Sequence, residues 1–277
     1  MPGAVVLFLW VLVPIVLLVT TSFLRYDNIH PIVFSGLKNY ERVLGDRVFW
    51  LSFKNTVIFS AGVTFLTLVV SLALAHSLSR IERLKGFFRS LAMFPWAVPM
   101  VVSGFMWAQM FNPSFGVIND FLLRLGLIKA PIDIFGNPTL AMVGVILADA
   151  WTRIPFMTII ILAGLESINP NLYEAARVDG ADSLQTFRLI SLPLNRKAIM
   201  TGVIITTIFS FRTIDTIFSM TFGGPAKGTY TFGFYVIDNI YRFFNFGIAG
   251  AISIILLFLL LIIGSLFIYQ VLRTEER

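Results

Sequence analysis

The sequence predicts an all-α, polytopic membrane protein with six transmembrane helices, and three observations carry that prediction. Of its 277 residues, 57% are hydrophobic and only 13% charged, where soluble globular chains carry about 25% charge. The apolar residues gather in six runs, each long enough to span a bilayer core, which takes about 20 residues of helix. The mean hydropathy of +0.85 points the same way. A soluble fold of this size would still need a charged skin. The net charge of +6 does not indicate nucleic acid, because no Lys/Arg run is long enough to form a phosphate-binding stripe.

The first run, about 3–24, is not preceded by a basic segment and is not followed by a small-residue cleavage site. It reads as a retained helix rather than a secretory signal, and its abrupt start raises the expectation of a basic tail upstream. Runs at 55–79, 90–111, 139–165, 198–222 and 248–272 follow, so residues 1–277 read as a single transmembrane domain. Six crossings put both termini on one side. Arg80, Arg83, Lys85 and Arg89 lie between the second and third runs, and Arg177, Arg188, Arg196 and Lys197 between the fourth and fifth. With Arg273 and Arg277 they place that side in the cytoplasm of a prokaryotic cell membrane. Arg25, Lys38, Arg42, Arg47 and Lys54 run against this bias. On the other side, Asn119–Leu127 and Tyr235–Phe244 read as short helices lying on the membrane surface.

Cysteine is absent, which excludes disulfides, thiolate metal sites and cysteine nucleophiles. His30 and His76 are too isolated for a metal cluster, and His76, near the end of an apolar run, reads as structural. No Gly-x-Ser-x-Gly elbow or His-Glu-x-x-His helix is present. No catalytic or metal-binding residues are therefore expected.

The segment 166–197 between the fourth and fifth runs carries the most information. Asn169 followed by Pro170 is a helix start, an N-cap and then a proline whose missing N–H costs nothing there. Gly180 ends that helix where a left-handed residue is wanted. Asp182 caps a second helix with Leu184, Phe187 and Ile190 on one face, and Pro193 is expected to stop it. By periodicity alone the segment is either a projecting helix–turn–helix or an amphipathic loop on the bilayer.

Glu174-Ala175-Ala176, Asp179-Gly180-Ala181, Phe187, Ile190 and Leu192-Pro193 resemble the EAA loop of bacterial and archaeal ABC importer permeases. Lys197 departs from the pattern, standing where the family often has proline. Pro95, Pro99, Trp107, Trp151, Pro155 and the Met220–Thr229 segment with its Gly-Gly-Pro resemble the carbohydrate-uptake permeases of the MalF/UgpA type. The resemblance implies an ABC type I importer permease fold. It also implies that Glu174, Ala175, Ala176, Asp179, Gly180 and Ala181 couple this chain to an ATPase. Its implied partners are a second, MalG-like permease, two ATP-binding cassette subunits, an extracytoplasmic solute-binding protein and membrane lipid, with no nucleic acid. ATP and magnesium would be bound by the ATPase subunits, and this chain, with no Walker A loop, would hold no cofactor.

Charges inside a span are costly and face a cavity or a partner. Asp149 and Arg153 lie four apart, Arg212 and Asp215 three apart, and each pair either neutralises itself or lines a polar path. Thr206, Ser210 and Thr213 form a hydroxyl stripe at helical spacing. By the resemblance, Asp149, Thr152, Arg153, Phe156, Thr206, Phe209, Ser210 and Thr213 fall where MalF-like permeases contact sugar, and Met100 matches a further position. The expected function is thus a sugar importer subunit. A glycerol-phosphate or polyol importer of the same family is the alternative. An ion-gradient-driven transporter using the Asp/Arg pairs as a proton relay is the reading from another class.

Overall fold

The computed structural model describes residue 6 and residues 8–81 and 83–275. The expected start of the first run at residue 3 and the closing Arg277 lie outside the described residues, as does the side chain of Arg273. The described residues are helical apart from loops and one small hairpin. Helix α1 (Phe8–Ser22) is a short apolar helix. Strands β1 (Leu24–Arg25) and β2 (Val33–Phe34) pair antiparallel, with Leu24 opposite Phe34. After α2 (Lys38–Gly45), Asp46 accepts the Val48 N–H at 2.9 Å and starts the 33-residue α3 (Arg47–Ser79).

The expected span 90–111 is broken. Helices α4 (Lys85–Ala97) and α5 (Met100–Met110) meet at 89°. Val98 precedes Pro99 and is extended, at ψ 126°, because the proline ring excludes the helical conformation from the residue before it. Helix α6 (Val117–Arg124) follows. Asn137 then accepts the Thr139 and Leu140 N–H groups, Pro138 takes the first helical position, and α7 (Pro138–Glu166) begins.

Helix α8 (Pro170–Val178) and α9 (183–194) form the helix–turn–helix. Helical winding runs through Pro193 instead of stopping there. The turn before it, Phe187–Ser191, is wound as a π-helix, so the missing proline N–H falls beside an already widened turn. The chain turns at Asn195, whose side-chain amide donates to the Ile161 carbonyl at 2.9 Å. The expected span 198–222 is also divided, into α10 (Arg196–Phe211) and α11 (Asp215–Met220). Helix α12 (Phe232–Tyr241) starts three residues before the expected surface helix, with Phe232, Phe234 and Tyr235 buried in a core cluster, while Tyr241, Phe243 and Phe244 are exposed. Helix α13 (Phe246–Glu275) closes the bundle.

Among the described residues, α3, α7 and the stretch Phe246–Phe267 of α13 are each long and apolar enough to cross a membrane, and the bent α4–α5 pair passes the same test as a unit. Three core clusters are stacked along α3. Phe49 belongs to the first, with residues of α12 and α13. Phe59 and Val63 belong to the second, with Val145 and Ala148 of α7. Ala75 and Leu78 join the third, with Met157, Ile161 and Leu165. Between helices in a bilayer there is little hydrophobic drive, so small and hydroxyl side chains make the contacts. Ser60 hydrogen-bonds Ser210 of α10 at 2.5 Å, and Ser71 donates to the Ile154 carbonyl of α7 at 3.0 Å.

Candidate functional site

A cavity of about 690 Å³ opens between α4, α5, α7 and the α10–α11 break. Its α7 wall, Thr152, Arg153 and Phe156, lies between Ala150 of the second core cluster and Met157 of the third, so the cavity sits midway along the bundle. Seven of the nine residues proposed from the sequence line it: Met100, Thr152, Arg153, Phe156, Thr206, Phe209 and Thr213. Asp149 and Ser210 do not. Asp149 is fully buried behind Arg153, and Ser210 points to Ser60 on α3.

Arg153 donates through Nε and Nη2 to the Asp149 carboxylate, and through Nη2 to the Thr213 hydroxyl at 2.7 Å. Thr216, in the first turn of α11, donates to Asp149 at 2.9 Å. A charge at this depth is tolerable only when paired and hydrogen-bonded, and this one is both. Arg212 and Asp215 behave differently. Both line the cavity and both are exposed, and among the described residues they form no ion pair with each other. Three unwound residues, 212–214, separate their helices, so the i, i+3 geometry that would have brought them together is lost. The Arg212 guanidinium lies over the Phe209 ring, 4.9 Å from its centroid.

The break is packed against a part of the chain distant in sequence. Gly233 in the first turn of α12 lies against it so closely that a Cβ there would come 2.7 Å from the Thr213 carbonyl oxygen. On the opposite wall, Trp96 and Phe156 present nearly parallel rings, 17° apart with centroids at 6.4 Å. Trp96 was not among the residues proposed from the sequence. Its signal was its position between Pro95 and Pro99, which open the α4–α5 bend toward the cavity. Aromatic faces beside hydroxyl and charged groups suit a ligand with apolar ring faces and many hydroxyls.

At one end of the bundle, the α8–α9 turn is fully capped. Asn169 accepts the Asn171 N–H at 3.0 Å. Gly180 has φ +78°, its N–H donates to the Arg177 carbonyl and the Ala181 N–H to the Ala176 carbonyl, which together close the helix end in a left-handed cap. Asp182 accepts the Leu184 and Gln185 N–H groups, while the Gln185 side chain accepts the Asp182 N–H. Glu174, Ala175, Asp179 and Gly180 are exposed, whereas Ala176 and Ala181 are half-buried. Val178 and Leu184 are also exposed beside the turn, an apolar surface with no partner within the described residues. Within the pair, Tyr173 of α8 hydrogen-bonds Ser191 of α9 at 3.2 Å, and the pair meets the bundle at His76 of α3, whose ring packs edge-on against Phe187 at 4.9 Å. His76 is thus a packing residue, as its position suggests. Lys85 and Arg89 of α4 pair with Glu166 at the end of α7, Lys85 at 2.7 Å.

A helical bundle with a polar cavity at mid-depth and a capped helix pair projecting from one end is the form of a membrane transport permease. Residues 67–275 match the family described as "Binding-protein-dependent transport system inner membrane component", and the chain belongs to that family. It is 40% identical to the trehalose/maltose transport system permease protein MalF of Thermococcus litoralis over 230 residues, 82% of this chain and 76% of that protein. It is 35% identical to the sn-glycerol-3-phosphate transport system permease protein UgpA of Agrobacterium fabrum, covering 88% and 82% of the two chains. In fold, it matches a chain from the crystal structure of a bacterial ABC transporter involved in import of the acidic polysaccharide alginate, with a TM-score of 0.84 and 21% identity over 99% of this chain and 93% of that one.

Proposed function

We propose that this chain and a second, homologous permease together form the membrane pathway of an ATP-driven sugar importer, served by an extracytoplasmic binding protein. The observation that carries the substrate class is the cavity wall, where Trp96, Phe156 and Phe209 stand beside the Thr152, Thr206 and Thr213 hydroxyls. Relatives named for trehalose/maltose transport support it. On this reading the chain crosses the membrane six times, with the divided α4–α5 and α10–α11 segments each counting as one crossing, and both termini in the cytoplasm.

The α8–α9 turn, with Glu174, Ala175, Ala176, Asp179, Gly180 and Ala181, docks on a cytoplasmic ATPase subunit. Its exposed Val178 and Leu184 supply apolar area for that contact. The chain itself hydrolyses nothing and needs no cofactor, and ATP and magnesium stay with the ATPase subunits. The test is uptake and ATPase activity in liposomes holding the assembled complex. Deleting 174–180 abolishes substrate-stimulated ATPase activity, and retained stimulation would refute the assignment. One observation favours the phosphate-bearing alternative: Arg212 faces the cavity without an Asp215 partner. Uptake of glycerol phosphate and of disaccharides by the same liposomes separates the two.

A further inference from the structure

At the end of the bundle opposite α8, a separate cavity of about 700 Å³ is walled by the first loop, α2, the start of α3, α12 and the start of α13. Its acidic groups are engaged. Asp46 caps α3 and accepts the Tyr235 hydroxyl at 2.7 Å. Asp27 accepts the Ile29 and His30 N–H groups at 3.2 and 3.0 Å, and pairs with the His30 ring and Arg25. Hydrogen bonds from the His30 backbone and ring hold the Asp27 carboxyl far below the usual range. Burial, with Asp46 beside it, pushes the Tyr235 phenol up, so it stays a neutral donor.

The cations are not so engaged. Lys38 and Arg42 line the cavity and make no hydrogen bond or ion pair among the described residues. Lys227 also lines it, with its ammonium 5.3 Å from the Tyr230 ring centroid. These three are exposed, so the cavity mouth is open and positive. The rim is apolar and equally exposed. Ile29 lines the cavity and is 82% exposed, and Phe243 lines it likewise. Phe34, next to the lining residue Ser35, is 77% exposed.

Membrane-crossing helices begin here, α3 at Arg47 and α13 at Phe246. Basic groups ringed by aromatic and aliphatic side chains at a helix end meet the headgroup layer of a bilayer.

We propose that this cavity binds the phosphate of an anionic phospholipid, with Lys38, Arg42 and Lys227 on the headgroup and the acyl chains along the Ile29–Phe34–Phe243 rim. The guanidinium can hold two phosphate oxygens at once, while the lysines act as point charges. Cations this exposed to water hold a small free anion weakly. An amphiphile gains in addition from the apolar rim. That difference selects the lipid over free phosphate, and the test below separates it from an acidic protein face.

The test uses the assembled complex in nanodiscs of phosphatidylcholine, with and without phosphatidylglycerol, and counts bound lipids by native mass spectrometry. The wild type retains phosphatidylglycerol selectively, and added inorganic phosphate does not displace it. Each charge removed weakens retention about fivefold, so the triple variant Lys38→Gln/Arg42→Gln/Lys227→Gln loses the lipid. The charge-preserving variant Lys38→Arg/Arg42→Lys retains it. Thermal unfolding in phosphatidylcholine alone, unchanged in the triple variant, shows that the loss is not misfolding. The proposal is overturned if the wild type shows no preference for phosphatidylglycerol or if inorganic phosphate displaces it. It is equally overturned if the triple variant keeps the lipid and loses only capture of the solute-binding protein.

Discussion

The Arg153 guanidinium donates to the Thr213 hydroxyl at 2.7 Å, joining the middle of α7 to the break between α10 and α11. Since the same guanidinium is held by Asp149, and Asp149 by Thr216, one buried charge pair ties α7 to both the break and α11 around the cavity.

Removing one partner of a buried pair leaves an unpaired charge and costs about 3–5 kcal/mol, whereas replacing both by apolar residues is often neutral. Asp149→Ala should therefore lower the thermal unfolding midpoint of the purified complex sharply, and the double variant Asp149→Leu/Arg153→Met should recover most of it. Sugar uptake stays impaired in the double variant, because Arg153 also lines the cavity. Recovery of both stability and uptake would show that the pair only packs helices.

Trp96→Ala should raise the KM for sugar uptake with little change in basal ATPase activity. The lost ring contact is worth about 1 kcal/mol, or roughly fivefold in KM. An unchanged KM with a depressed maximal rate would remove Trp96 from the substrate wall.

At Gly180 the backbone is left-handed and nothing lies within 4 Å of an added Cβ, so the cost of a side chain is conformational only. Gly180→Ala should destabilise the turn by about 1 kcal/mol and lower substrate-stimulated ATPase activity while the complex still assembles. Gly180→Asn, which tolerates this conformation better, should lose less. Equal behaviour of the two variants would point to sterics against the partner rather than to backbone preference.

Gly233→Ala places a methyl 2.7 Å from the Thr213 carbonyl oxygen and 2.8 Å from Ile214 Cγ1. Overpacking of this kind costs about 1–3 kcal/mol. The variant should show both a lower unfolding midpoint and weaker sugar binding, since the displaced residues carry Arg212 and Thr213 into the cavity. A stability loss with normal binding would uncouple α12 from the cavity wall.

The helix–turn–helix was legible because its signals are local. Asn169, Gly180 and Asp182 each act on backbone groups within a few residues, and the structure uses all three in those roles. The bend at Val98 was marked by Pro95 and Pro99, yet an apolar run hides a bend, since hydropathy does not register direction. The α10–α11 break carries no local breaker. Gly233, twenty residues further on, packs against it with no room for a side chain, and no sequence window joins the two. The failure of Arg212 to pair with Asp215 follows from that break. Asn195 escaped notice for the same reason: its role depends on the Ile161 carbonyl of another helix. Pro193 was read by a rule that assumes regular winding, and the π-turn before it removes that assumption.

With 33 residues, α3 is about 50 Å long at 1.5 Å per residue, against a hydrocarbon layer of about 30 Å. A moderate tilt shortens the difference only slightly, so α3 overshoots the slab. Measured on that ruler, the two end cavities, one lined by Val48 and the other by His76 and Ser79, fall at the headgroup margins. The middle cavity, level with Ser60 and Thr64, falls inside the slab. The same cation type is therefore governed by different physics at different heights. Among the described residues Arg42 at the margin has no ion-pair partner, whereas Arg153 at the centre is paired with Asp149.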